Sequence, residues 1–117
     1  MDLTFRIQLL KDSNQIDEET YENLLAIIKL LKDRWGITLT EENGAMLITH
    51  MSIALKRIKD NNTVNPLEED LQEQLRGEAF YSKAEEILED IDKKLELKLP
   101  ENEKEYMIMH ICTLLLK

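Results

Sequence analysis

His50 and His110 are the only two histidines in this 117-residue chain. They are also its only side chains of ordinary pKa near neutral pH, where an imidazole can act as base, nucleophile or ligand. They lie 60 residues apart, at the same place in a repeated segment, with residues 36–55 matching residues 96–115. Leu39/Leu99, Glu41/Glu101, Ile48/Ile108, His50/His110 and Leu55/Leu115 are identical pairs. Ile37/Leu97, Met46/Tyr106, Leu47/Met107, Met51/Ile111 and Ala54/Leu114 keep apolar character. Self-similarity at a fixed period describes the whole fold, and here it singles out both histidines.

Residues three and four apart share a helix face. Met46, Leu47, Ile53 and Ala54 surround His50, and Tyr106, Met107, Thr113 and Leu114 surround His110. Each imidazole therefore belongs to an apolar stripe, where a polar ring needs a partner, a groove or an interface. Two idle core histidines are the plain alternative, and the matched placement weighs against it. Arg57 follows His50 by seven residues and Lys117 follows His110 by seven, about two turns on the same face. Either cation could stabilise an anion on its imidazole, or simply sit at a helix end where the dipole favours it.

Other chemistries fit poorly. Zinc takes three or four ligands, and two histidines with one cysteine lack paired spacing, so no metal site is expected. Cys112 is two residues from His110, about 200° around a helix, and cannot pair with it locally. No glycine-rich phosphate loop or nucleophile elbow occurs, so no cofactor and no catalytic residue are assigned. The 24 acidic residues make carboxylate pairs unavoidable by chance, and most must form a solvated face.

The elements that must carry these residues are helices, because glycines, prolines and β-branched runs are few. Residues 2–12 form a short amphipathic segment. A second helix starts in the acidic run after Ile16, carries its apolar stripe to Trp35 and stops at Gly36. Thr40 is a candidate cap for a third helix reaching about Lys59. The loop 61–65 divides the halves, and Pro66 suits the first turn of a helix ending near Arg76–Gly77. A fifth stripe runs from Phe80 to Leu95, and Leu99-Pro100-Glu101 opens the last helix. The expectation is an all-α bundle of five or six helices, built from two related halves as one domain over 1–117.

Net charge is −9 and uneven, with −2 on residues 1–60 and −7 on residues 61–117. No basic face is visible, so direct nucleic-acid contact is not expected. No apolar run spans a bilayer, the N-terminus lacks signal-peptide character, and the single cysteine suits a reducing cytoplasm.

These residues resemble a known family. Gly36-Ile-Thr-Leu-Thr-Glu-Glu-Asn43, Leu47-Ile-Thr-His-Met-Ser-Ile-Ala-Leu-Lys-Arg57, Asn65-Pro66-Leu67, Phe80-Tyr-Ser-Lys-Ala84 and Leu99 through Ile111 are similar to a PTS regulation domain. The likeness covers roughly residues 16–117. It implies a regulatory target of the bacterial sugar phosphotransferase system rather than an enzyme. His50 and His110 would accept phosphoryl groups from the phosphocarrier protein or a sugar-permease component, with Arg57 and Lys117 as phosphate-stabilising candidates. It also implies a homodimer whose packing shifts on phosphorylation, as in transcriptional antiterminators and activators. Those regulators join the module to a nucleic-acid-binding domain, and this chain has one copy and no such domain. The chain is either an excised fragment or, as the expectation favours, a stand-alone module acting through another protein. A helical adaptor that has lost phosphorylation is the second reading, and a small helical metalloprotein the third.

Overall fold

The computed structural model describes residues 3–62 and 64–116. Six helices follow one another: α1 (Leu3–Asp12), α2 (Glu18–Trp35), α3 (Glu41–Lys59), α4 (Glu69–Arg76), α5 (Tyr81–Leu95) and α6 (Glu101–Leu115). No strand occurs among the described residues, in keeping with the all-α expectation.

Local chemistry sets the helix ends. The Asp17 carboxylate accepts the Thr20 amide at 2.8 Å and caps α2, with Glu18 and Glu19 at the positive end of the dipole. At α3 the cap is reciprocal. Thr40 Oγ1 accepts the Asn43 amide at 3.3 Å, and Asn43 Oδ1 accepts the Thr40 amide at 2.7 Å. Gly36 ends α2 in the left-handed conformation, at φ 66°. Glu96, 60 residues on, ends α5 the same way at φ 53°, so the repeat extends to backbone conformation.

The connector before α4 departs from the sequence expectation. Pro66 does not stand in the first helical turn, because α4 begins only at Glu69. Leu67 is buried instead, and its carbonyl accepts a bond from Gln72 Nε2 at 2.7 Å. Asn102 Nδ2 on α6 also donates to the Val64 carbonyl at 3.1 Å. Burial of Leu67 and these bonds hold residues 64–68 out of the helix.

The core lies among α2, α3, α5 and α6, where Ile27, Leu31, Ile48, Met51, Ile87, Ile91, Met107 and Ile111 are fully buried. α2 packs on α5 and α3 packs on α6, so each long helix meets its own repeat equivalent. Asp90 Oδ2 on α5 ties the first pair, accepting from Arg34 Nε at 2.6 Å and Trp35 Nε1 at 3.0 Å. α1 covers α2 and α3 with Leu3 and Ile7 buried. It approaches closely at Gly44, where a Cβ would stand 3.0 Å from Leu39 Cβ and 3.2 Å from Leu3 Cδ2.

Candidate functional site

His50 and His110 come from two different helices and meet face to face. Their ring centroids are 4.1 Å apart and their planes differ by 13°. Seven residues further along α3, Arg57 meets Glu103, seven residues before His110 on α6. Pairing that rises along one helix as it falls along the other means that α3 and α6 run antiparallel. Because the touching histidines occupy equivalent repeat positions, the approximate two-fold axis relating the halves passes between their rings. The contact is thus the intrachain counterpart of an isologous interface.

Each ring sits on a seam between buried and open surface. Leu47 and Ala54 beside His50 are buried, whereas Met46 and Ile53 are 62% and 46% exposed. Met107 and Leu114 beside His110 are buried, whereas Thr113 is exposed. The apolar stripe is therefore only half covered. Among the described residues neither ring has a protein hydrogen-bond partner, and neither holds a fully buried, unpaired nitrogen. Both histidines are partly exposed.

Burial first, and repulsion from a charge on His50 second, lower the His110 pKa to about 4. His110 is consequently neutral at neutral pH, with one ring nitrogen carrying a free lone pair. Stacked rings hold their in-plane lone pairs side by side, so the two cannot converge on one metal ion. Among the described residues no group of three or more potential ligands gathers either. The cleft between α4, α5 and α6 holds about 160 Å³, short of the ~300 Å³ at which small-molecule sites begin, whereas an open cleft of about 640 Å³ lies beside Ile53, Lys56 and Arg57.

Arg57 does not face the imidazoles alone. Its Nε donates to Glu103 Oε2 at 3.0 Å and its Nη2 to Glu103 Oε1 at 2.9 Å. Glu103 is only 1% exposed, so this bidentate pair is the charged contact that closes α3 on α6. Lys117, the other cation singled out from sequence, lies outside the described residues. Cys112 is buried, and burial raises its thiol pKa, as does Glu78 nearby. This is the environment of an inert packing residue.

Comparison with known families decides what this helix pair belongs to. The family model described as PRD domain matches residues 25–113, which takes in both histidines, Arg57 and Glu103. The chain belongs to the PRD-domain family. This membership makes it a regulatory domain related to the sugar phosphotransferase system. The PRD domain is similar to a protein of Escherichia coli (strain K12) described as uncharacterized protein YhfY, 22% identical over 91% of this chain and 88% of that protein. It is also similar to the probable licABCH operon regulator of Bacillus subtilis (strain 168), 36% identical over 74% of this chain. It spans only 13% of that regulator's length. No solved structure matches it significantly.

Within the PRD domain, the repeat alone marked His50 and His110, but their mutual contact could not be read from it. Glu103 escaped sequence reasoning altogether, hidden among many acidic residues. One signal was available. If equivalent helices pack antiparallel about the two histidines, Arg57 must face a residue seven before His110.

Proposed function

We propose that this PRD domain is a phosphorylation-responsive regulator of the bacterial sugar phosphotransferase system, not an enzyme. His50 and His110 accept phosphoryl groups from the phosphocarrier protein or a sugar-permease component. The observation that carries this reading is the stacked, solvent-reaching histidine pair at equivalent positions of the repeat. A phosphoryl group brings a charge of about −1.5 to −2 into the α3–α6 seam, two turns from the Arg57–Glu103 pair. Such a charge biases the packing of the pair, which is how local modification becomes a change of state.

The remaining roles follow from this reading. The chain acts in the cytoplasm as one unit over residues 1–117, as a homodimer joined to transcription regulation through a partner. The half-covered stripe at Met46 and Ile53 offers apolar surface for such an assembly. Arg57, and Lys117 at the equivalent position of the repeat, are the candidate phosphate-stabilising cations. The similarity to a probable operon regulator supports the link to transcription. The test is transfer from phosphoenolpyruvate through the first phosphotransferase enzyme and the phosphocarrier protein. Acid-labile phosphate on this chain supports the reading, and an unlabelled chain beside a labelled family member contradicts it.

A second reading is favoured by one observation, the capture of Arg57 by Glu103. A module whose Arg57 is already neutralised has the fold without that phosphate-stabilising cation. It would act as a dimeric adaptor, and its association would ignore both His50→Ala and His110→Ala.

A further inference from the structure

A phosphoryl group added to this seam is stabilised by a positive partner. Among the described residues of α3 and α6, Arg57 is the cation on the face of the pair, and Glu103 already holds it with two hydrogen bonds. Lys56 and Lys104 stand six residues from the histidines, about 120° around their helices. Lys56 lines the clefts beside Asp60, one of which it shares with Ile53 and Arg57, and Lys104 lines the cleft beside Glu101. Tyr106 is the remaining titratable side chain beside the rings, on α6. The flanks turned toward the rest of the bundle are the buried Leu47, Ala54, Met107 and Leu114. Among the described residues, the titratable group stacked against each imidazole is the other imidazole, with ring centroids 4.1 Å apart.

We propose that His50 and His110 form one two-ring acceptor, in which one ring takes the phosphoryl group and the other becomes its protonated counter-ion. A chain accordingly carries one phosphoryl group at a time. This rests on the phosphorylation reading above and adds its stoichiometry and its charge partner.

The step balances as follows in atoms and charge. The unprotonated nitrogen of one neutral ring attacks phosphorus of an N-phosphoimidazole donor. The new N–P bond forms as the donor's N–P bond breaks, that electron pair returns to the donor ring, and the donor ring takes up a proton as the acceptor ring sheds the one on its other nitrogen. The second ring is then protonated from solvent. Before transfer, two positive rings in contact would repel, so neutrality is favoured and a nucleophile is available. After transfer a dianion lies against the second ring, and the same short distance now favours its protonation. A protonated imidazole has no lone pair on either nitrogen, so the second ring is quenched as a nucleophile while the first is occupied. Face-to-face rings also keep each lone pair out of line with phosphorus on its neighbour, which blocks transfer from one ring to the other.

The test uses phosphoramidate, a small chemical phosphoryl donor, on the full chain, with intact mass read without acid. Wild type, His50→Asn and His110→Asn are each expected to saturate at one phosphoryl group, and the double variant at none. Two groups on wild type overturn the proposal, and so does a single variant that folds by circular dichroism yet takes none. A second readout needs no variant: imidazole nitrogen NMR of singly phosphorylated wild type. A protonated unmodified ring near neutral pH is expected, and a neutral one overturns the proposal. Should phosphoramidate give one group while the phosphocarrier protein gives none, the phosphotransferase reading fails and the two-ring acceptor stands.

Discussion

Arg57 and Glu103 join α3 to α6 by two parallel hydrogen bonds, 3.0 and 2.9 Å long, two helical turns from the stacked histidines. Glu103 is almost wholly buried, whereas a third of the Arg57 side chain meets solvent. The two ends of the pair are therefore unequal. Removing the arginine strands a buried carboxylate, while removing the carboxylate leaves a guanidinium that can turn to water.

Arg57→Ala is expected to cost about 3 kcal/mol of stability, because it leaves an uncompensated buried charge. Glu103→Ala is expected to cost less, about 1–2 kcal/mol, in line with losing charge-assisted hydrogen bonds whose donor can be resolvated. Urea unfolding read by fluorescence of Trp35, the sole tryptophan, measures both. Equal costs would show that solvent, not burial, governs the pair.

Stability should fall as pH drops through a window set by His110. Its pKa is about 4 in the folded chain against an ordinary 6.5. Between these values the unfolded chain binds a proton that the folded chain refuses, so stability rises with pH across the window. The contribution is fully present above about 6.5 and is lost as pH falls toward 4. With the ring partly open to water, it amounts to roughly 1–2 kcal/mol rather than the full linkage value. His110→Gln should flatten the profile between pH 6.5 and 4, and an unchanged profile would contradict this assignment.

Asp17 governs a lower window. Its ion pair with Lys59 and its bond from the Thr20 amide hold its pKa at about 2 against an ordinary 3.8. A depressed carboxyl pKa adds stability above 3.8 that disappears as pH falls toward 2. Asp17→Ala is expected to cost about 1 kcal/mol through loss of the cap, with no change in the His110 window. Calorimetry at three pH values separates the two.

Glu96 pays a conformational cost that Gly36 avoids. Both end a helix in the left-handed region, but only glycine enters it freely. Glu96→Gly should raise stability by up to about 1 kcal/mol, the smaller part of the left-handed penalty after the entropy of glycine is deducted. A loss on thermal unfolding would mean that the Glu96 side chain makes a compensating contact.

What could be read from the sequence divides along the same physical lines. Helix starts at Asp17 and Thr40 and the stop at Gly36 depend on nearby side chains and were legible. The repeat carried the two halves and both histidines. Pro66 was misplaced because its helix start was decided by burial of Leu67 and a bond from Asn102, both outside local chemistry. The histidine stack and the Arg57–Glu103 pair link residues 60 and 46 positions apart, and only the antiparallel packing of α3 on α6 brings them together. Side-chain spacing gave Arg57 the correct face but not the carboxylate waiting there.

The most direct measurement of the central claim is phosphoryl transfer from the phosphocarrier protein to wild type, His50→Ala, His110→Ala and the double variant, mapped by mass spectrometry without acid. The account predicts label on His50 or His110 of wild type, on the remaining histidine of each single variant, and on nothing in the double variant. Undiminished label on the double variant, or none on wild type while a known family member is modified, would contradict it.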